Sequence, residues 1–139
     1  MDRDMFAEVI CDSKGIHVSP ELLELILTVK GVDRTVLISD SYVSNEPTPA
    51  EFAHITDLQF DANGGLCGSK LTLDVACRNM MAHTGCGLVE VFRMASLNPA
   101  RAVGMDREIG SLAVGKRANL VLTDEDFHIE RVMLDGAWI

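Results

Sequence analysis

Two residues of this chain stand where chemistry is easiest to arrange. His17 follows a short apolar segment, Phe6 to Cys11, across a turn-like Asp12-Ser13-Lys14-Gly15, and Asp40 closes a second apolar segment, Thr35 to Ser39. An imidazole and a carboxylate at the ends of neighbouring strands can serve as hydrogen-bond donor and general base, the pairing that moves protons to and from a reacting group. A plainer reading stands beside it, because a single aspartate at a strand end often only forms a turn or caps a helix. The other histidines read as structural: His54 lies in an acidic loop, His83 near a helix end where positive charge suits the dipole, and His128 in the terminal β segment. Cys11, Cys67, Cys77 and Cys86 have no CxxC spacing and read as reduced, mostly buried thiols rather than a zinc knuckle or redox pair.

The elements that must position His17 and Asp40 follow from the pattern around them. Ser19 offers an N-cap with Pro20 at the first helical position, and Leu22, Leu25, Ile26 and Val29 recur at helical spacing up to Gly31. Strand, helix and strand make a βαβ unit with parallel strands, so the two strand ends share one rim and bring His17 and Asp40 to it. From Ser41 to Ser69 the periodicity fails while Pro47, Pro49, Asn63, Gly64, Gly65 and Gly68 accumulate, which predicts a long functional loop or a poorly ordered insert. Thr72 to Gly85 carries a helical apolar face in Leu73, Ala76, Cys77, Met80 and Met81. A second helix is expected from Leu88 to Ala95, and a separate short one opens at Asn98-Pro99 and ends near Gly104. Asn119 to Thr123, Ile129 to Leu134 and Ala137 to Ile139 read as short strands, the last two joined by the hairpin signal Asp135-Gly136. The expected class is α/β with a terminal antiparallel piece.

Composition removes several function classes. With 139 residues, 47% of them hydrophobic, the chain suits one compact domain. Its 12 Lys and Arg against 21 Asp and Glu leave a net charge of −9, and no basic cluster exceeds the pair Lys116-Arg117. That balance lacks the basic stripe that a nucleic-acid backbone requires. The longest apolar runs, such as Leu25-Ile26-Leu27 and Val36-Leu37-Ile38, fall far short of the roughly 18 residues of a membrane span. Met1-Asp2-Arg3-Asp4 shows no basic-then-apolar leader pattern, so the chain reads as cytoplasmic, with neither membrane nor nucleic acid as a partner.

Several blocks then carry a family resemblance. Gly15-Ile16-His17-Val18, the helix up to Lys30-Gly31, Val36-Leu37-Ile38-Ser39-Asp40, Leu66-Cys67-Gly68-Ser69-Lys70-Leu71-Thr72 and Arg78-Asn79 resemble, in order, blocks of the N-acetylglucosamine-6-phosphate deacetylases of the amidohydrolase superfamily. The match continues through Arg93-Met94-Ala95-Ser96-Leu97-Asn98-Pro99-Ala100-Arg101-Ala102 and Gly110-Ser111-Leu112-Ala113-Val114-Gly115-Lys116-Arg117-Ala118-Asn119-Leu120-Val121. These last two blocks are shared by many amidohydrolases, whereas Gly-x-His-Val and Leu-x-Gly-Ser-x-Leu-Thr point to the deacetylases.

The resemblance implies a fold and a chemistry. Residues 1–108 would form the C-terminal part of a metal-dependent (β/α)8 barrel, and residues 109–139 the closing strands of its small β-sandwich domain. The reaction would remove the acetyl group of N-acetylglucosamine 6-phosphate, giving glucosamine 6-phosphate and acetate. Asp40 would be the catalytic base on a metal-bound water and then the acid to the departing amine; His17 would contact the substrate beside Lys14, Gly15 and Ile16; and Leu66, Cys67 and Gly68 would close over the sugar. The family's divalent metal, zinc or iron, is held by a glutamate and two histidines that precede the matched region, so no metal ligand is expected here and none bound by this chain alone. A whole barrel takes about 250 residues, so the N-terminal half of the barrel or a second copy is the expected partner, and the chain is expected to be inactive alone. The family usually has an acidic residue where Lys14 stands, Ser or Ala where Cys67 stands, and a longer, less acidic loop where Ser41 to Asn63 runs. The alternative, a non-catalytic remnant or a sugar-phosphate-binding or structural module of the same superfamily, stays open at this point.

Overall fold

Residues 4–139 are described by a computed structural model. The chain opens with β1 (Ala7–Val9), crosses through α1 (Pro20–Lys30) and returns as β2 (Thr35–Leu37), which pairs parallel to β1 with Val9 opposite Leu37. This is the expected βαβ unit. The Ser19 hydroxyl accepts from the Leu22 N–H at 3.4 Å, and Gly31, at φ 74°, closes the helix by donating its N–H to Leu27.

The buried face of α1 differs from the one expected. Leu23 is fully buried, with Ile26 and Leu27 packed beside it, while Leu22, Leu25 and Val29 are exposed. The helix is apolar on two sides, so spacing alone does not choose between them. Leu23 joins Val9, Cys11, Leu37, Cys77, Met80, Val91, Met94 and Phe127 in the main core, and burying such a leucine contributes roughly 1.5–3 kcal/mol.

The stretch expected to be an unstructured loop is largely built. Beyond a 3-10 turn at Ala50–Phe52, β3 (Leu58–Phe60) and β4 (Leu66–Ser69) form an antiparallel hairpin. Asp61 accepts from the N–H groups of Asn63 and Gly65 at 2.9 Å, which shapes the turn. A small second core of Ile55, Leu58 and Phe60, with Phe52 stacked on Phe60 at 5.3 Å, supports it. The hairpin was hidden because Leu58-Gln59-Phe60 is buried on both faces and does not alternate, and because glycines interrupt the turn and the second strand.

α2 (Leu73–Thr84) matches expectation and ends at Gly85 in the left-handed region; Thr72 is its N-cap residue, without a capping bond from its side chain. The next two helices are one continuous rod: α3 (Leu88–Phe92), a π turn (Arg93–Leu97) and α4 (Asn98–Ala102). Pro99 has no N–H to donate and would crowd the turn before it, and the widened π turn absorbs that defect. Asn98 is fully buried and donates from Nδ2 to the carbonyls of Val32 and Thr35, both at 2.7 Å, tying the rod to the entrance of β2.

The chain closes with β5 (Leu120–Thr123), β6 (Ile129–Leu134) and β7 (Ala137–Trp138), an antiparallel sheet turned at Asp135 (φ 47°) and Gly136 (φ 85°). Both turn residues sit at positive φ, as a two-residue hairpin turn requires. Before it, the Lys116 ammonium donates to the carbonyls of Asp106 and Ile109 and to the Ser111 hydroxyl, folding the 106–117 segment around one cation. Leu122, Ile129, Leu134 and Trp138 are exposed, while Leu120 and Val132 are half-buried. Among the described residues no helix is long and apolar enough to cross a membrane.

Candidate functional site

The site begins at the end of β1, where the chain must turn from a buried strand into the loop before α1. Asp12 is fully buried there. Its Oδ1 accepts from the N–H groups of Lys14 at 2.9 Å and Ile16 at 3.0 Å, and its Oδ2 from the His17 N–H at 2.8 Å and His17 Nδ1 at 3.0 Å. Burial by itself would raise the Asp12 carboxyl. The three backbone N–H bonds and the His17 ring more than offset that, and Asp12 is held below the usual carboxylate range.

The same loop is pinned from outside. Asp57, buried ahead of β3, accepts from the Ser13 N–H at 2.7 Å and the Ser13 hydroxyl at 3.1 Å. From α2, Asn79 donates to the Cys11 carbonyl at 2.9 Å and His83 Nε2 donates to the Asp12 carbonyl at 3.0 Å. His83 therefore steadies the loop rather than capping its own helix. Sequence reasoning missed the roles of Asp12 and Asp57; the signal for the first was an aspartate directly after the apolar run that ends at Cys11, read only as a turn former.

His17 links this loop to β4. Its ring side chain is 10% exposed, and Nε2 lies 3.1 Å from the Gly68 carbonyl oxygen. Gly68 in turn lies against the end of β2. It sits at φ +59°, and a Cβ there would be 2.5 Å from the Asp40 carbonyl and 2.7 Å from Tyr42 Cβ. Ser69 completes the join: its N–H donates to the Asp40 carbonyl at 2.9 Å, and its hydroxyl donates to the Ser39 carbonyl.

Asp40 itself is exposed and sits at φ 46°. A left-handed conformation costs an ordinary residue about 1–2 kcal/mol and is tolerated best by Asp and Asn. Here the bonds from Ser69 on either side over-determine it. Among the described residues no side chain pairs with the Asp40 carboxylate, which leaves it open to a ligand or a water.

The structure thus brings together His17, Gly68 and the Asp40 backbone, with Gly15, Ile16, Leu66 and Cys67 on the flanking segments. Ile16 and Leu66 each expose an apolar side chain, Cys67 is half-buried and the Lys14 side chain is exposed. His54 is exposed, and His128 bonds Asp124 at 2.8 Å in the turn before β6. All four cysteines are free thiols; burial first, then the neighbouring Asp12 and Cys77, pushes Cys11 up to about 12, and burial with Asp74 does the same to Cys77. A groove of about 720 Å³ lies elsewhere, between α2, α3 and the terminal sheet, lined among others by Cys77, Phe92, Leu120, Leu122 and Trp138. It contains none of the expected site residues.

Comparison with known proteins adds the family context. The amidohydrolase family model matches residues 12–139. The chain is 35% identical over 142 residues to the N-acetylgalactosamine-6-phosphate deacetylase of Escherichia coli O157:H7, an alignment that covers 97% of this chain and 37% of that relative. A shorter Escherichia coli K12 protein of the same kind is also 35% identical, and there the alignment covers 83% of the relative. The crystal structure of N-acetylglucosamine-6-phosphate deacetylase from Pasteurella multocida superposes with a TM-score of 0.84 at 29% identity, over 98% of this chain and 37% of that one. The chain therefore spans little more than a third of the length of two of these three proteins.

Proposed function

The chain belongs to the amidohydrolase family, and on that footing we propose that it serves as the C-terminal part of an amino-sugar-phosphate deacetylase. The reaction is hydrolysis of the acetamide of N-acetylglucosamine 6-phosphate to glucosamine 6-phosphate and acetate. In this reading residues 1–108 belong to the (β/α)8 barrel and residues 109–139 to its small β domain. One observation supports it above the others: a single glycine, Gly68, sets its carbonyl oxygen 3.1 Å from the His17 ring nitrogen and has no room for a side chain beside the Asp40 backbone.

Asp40 supplies the proton transfers. As the water oxygen adds to the acetamide carbon, the carboxylate takes the water's proton. As the C–N bond breaks, Asp40 returns that proton to nitrogen, so the amine leaves neutral rather than as an unstable anion. His17 meets the sugar phosphate through Nε2, while Lys14, Gly15 and Ile16 on one side and Leu66, Cys67 and Gly68 on the other enclose it. The exposed Ile16 and Leu66 side chains give the sugar an apolar surface.

Members of this family are generally metal-dependent, and such a metal polarises the scissile carbonyl and acidifies water. Among the described residues no group of three or more His, Cys, Asp or Glu side chains converges, so these residues do not fit a metal set. In this reading the zinc or iron ligands belong to a partner region, the N-terminal half of the barrel or a second copy, and the chain is inactive alone.

The test is a chimera in which this chain replaces the matching stretch of the Escherichia coli O157:H7 relative, assayed for acetate release from N-acetylglucosamine 6-phosphate and from its galacto epimer. Release from the gluco substrate supports the proposal. Release from the galacto epimer alone would correct the sugar, and a folded chimera inert toward both would refute the reading.

A further inference from the structure

Every side chain or backbone group bonded to the Asp12 carboxylate comes from one short loop, Lys14 to His17, and Asp12 itself is fully buried. An aspartate that merely forms a turn is usually exposed and bonds one or two backbone N–H groups. Here a ring nitrogen is recruited as well. The groups facing His17 are few: Asp12 on Nδ1 and the Gly68 carbonyl on Nε2, while the neighbouring Asp57 is engaged by Ser13 and His83 by the Asp12 carbonyl.

An ionised carboxylate can only accept, so the His17 nitrogen that faces it must carry the hydrogen. We propose that Asp12 is a positioning residue of the site: its carboxylate holds the His17 ring as the Nδ1–H form, turned so that Nε2 is the ring atom that meets the substrate. This rests on the deacetylase reading for what the substrate is, though not for the coupling between the two side chains.

The consequence is a ring poised to change partners. Both ring nitrogens face acceptors, Asp12 Oδ2 at 3.0 Å and the Gly68 carbonyl oxygen at 3.1 Å, so with a single proton held on Nδ1 the Nε2 contact has no hydrogen and is the one free to change partners. A sugar hydroxyl entering there supplies the missing donor. With a second proton, Nε2–H donates to Gly68 or, in its place, to a phosphate oxygen. Either way Asp12 fixes Nδ1 and leaves Nε2 as the exchangeable contact, the usual function of a carboxylate behind a working histidine.

The experiment is nitrogen-15 NMR of the histidine rings in the full chain, at a pH where the His17 ring carries one proton, for the native sequence and for Asp12→Asn. The free side chain favours Nε2–H, so the expected Nδ1–H form of His17 would be a reversal imposed by the fold. In Asp12→Asn the amide can donate to Nδ1, and the ring should revert to Nε2–H, now bonded to Gly68. Native His17 in the Nε2–H form would overturn the proposal, and so would Nδ1–H persisting in a folded Asp12→Asn chain. Should that variant not fold, the native tautomer decides alone. In the chimera, Asp12→Asn should raise KM about tenfold, the loss expected of one charge-assisted contact, and an unchanged KM would remove the substrate-facing half of the proposal. The NMR readout needs no substrate, so it fails separately from the deacetylase reading.

Discussion

The imidazole of His17 and the carbonyl of Gly68, fifty-one residues apart in sequence, meet at 3.1 Å. That contact joins the loop after β1 to β4, and because Gly68 is also packed on the Asp40 backbone, it fixes the relation between the expected base and the expected substrate contact. A site built on crossing strand ends can hold side chains to a fraction of an ångström, which loops alone seldom do.

Gly68→Ala should therefore damage the site from a distance. The new Cβ would lie 2.5 Å from the Asp40 carbonyl, at a backbone φ of +59°. We expect a loss of about 1 kcal/mol or more in urea unfolding, with the Asp40 and His17 amide resonances displaced together. A variant of native stability with both resonances unmoved would show that the packing is slack.

Acid should loosen the loop. The Asp12 carboxyl is held low in the folded chain by the loop's hydrogen bonds, so its stabilisation is present in full well above the unfolded value near pH 3.9. The contribution is lost as the pH falls below that value and through the lower folded one. Asp12→Asn should remove this part of the acid dependence. Equal acid slopes for the native chain and the variant below pH 4 would assign that stability to other carboxylates.

Asn98 holds β2 in place from the far end of the strand, so its removal should be felt at Asp40. Asn98→Ala leaves the Val32 and Thr35 carbonyls without the donor that now meets both at 2.7 Å. A cost of about 1–3 kcal/mol is expected for such a buried loss, read by thermal or urea denaturation. A change below about 0.5 kcal/mol, the ordinary surface range, would mean that water replaces the amide.

Much of the frame could be read from residue patterns, for physical reasons that also explain the failures. The βαβ unit was visible because Ser19-Pro20 and Gly31 punctuate a helix between two continuous apolar runs. His17 and Asp40 could be placed on one rim because parallel strands put their ends together. The buried face of α1 was misjudged, since Leu22, Leu25 and Val29 are as apolar as Leu23, Ile26 and Leu27 and only tertiary contact separates them. The β3–β4 hairpin escaped because its strands are short, buried and interrupted by glycine. Asp12 and Asp57 escaped for another reason: a buried carboxylate is recognised by its donors, and the donors here are backbone N–H groups that have no letter in the sequence.

His17→Ala in the chimera separates binding from chemistry. On the proposed reading the ring offers Nε2 to the substrate and has no part in the proton transfers, so KM should rise about tenfold, the value of one charge-assisted hydrogen bond, with a smaller change in kcat. A fall confined to kcat would place His17 in the chemical step.

Asp40 carries the central claim, and Asp40→Asn in the same chimera tests it most directly. The amide keeps the shape and loses the basicity, so acetate release from N-acetylglucosamine 6-phosphate should fall about 10²- to 10⁴-fold in kcat, the usual worth of a general acid–base group, while KM stays within about threefold because the carboxylate acts mainly in the transition state. An Asp40→Asn chimera that retains most of its kcat would contradict the account, since the proton would then have to go to a group other than Asp40.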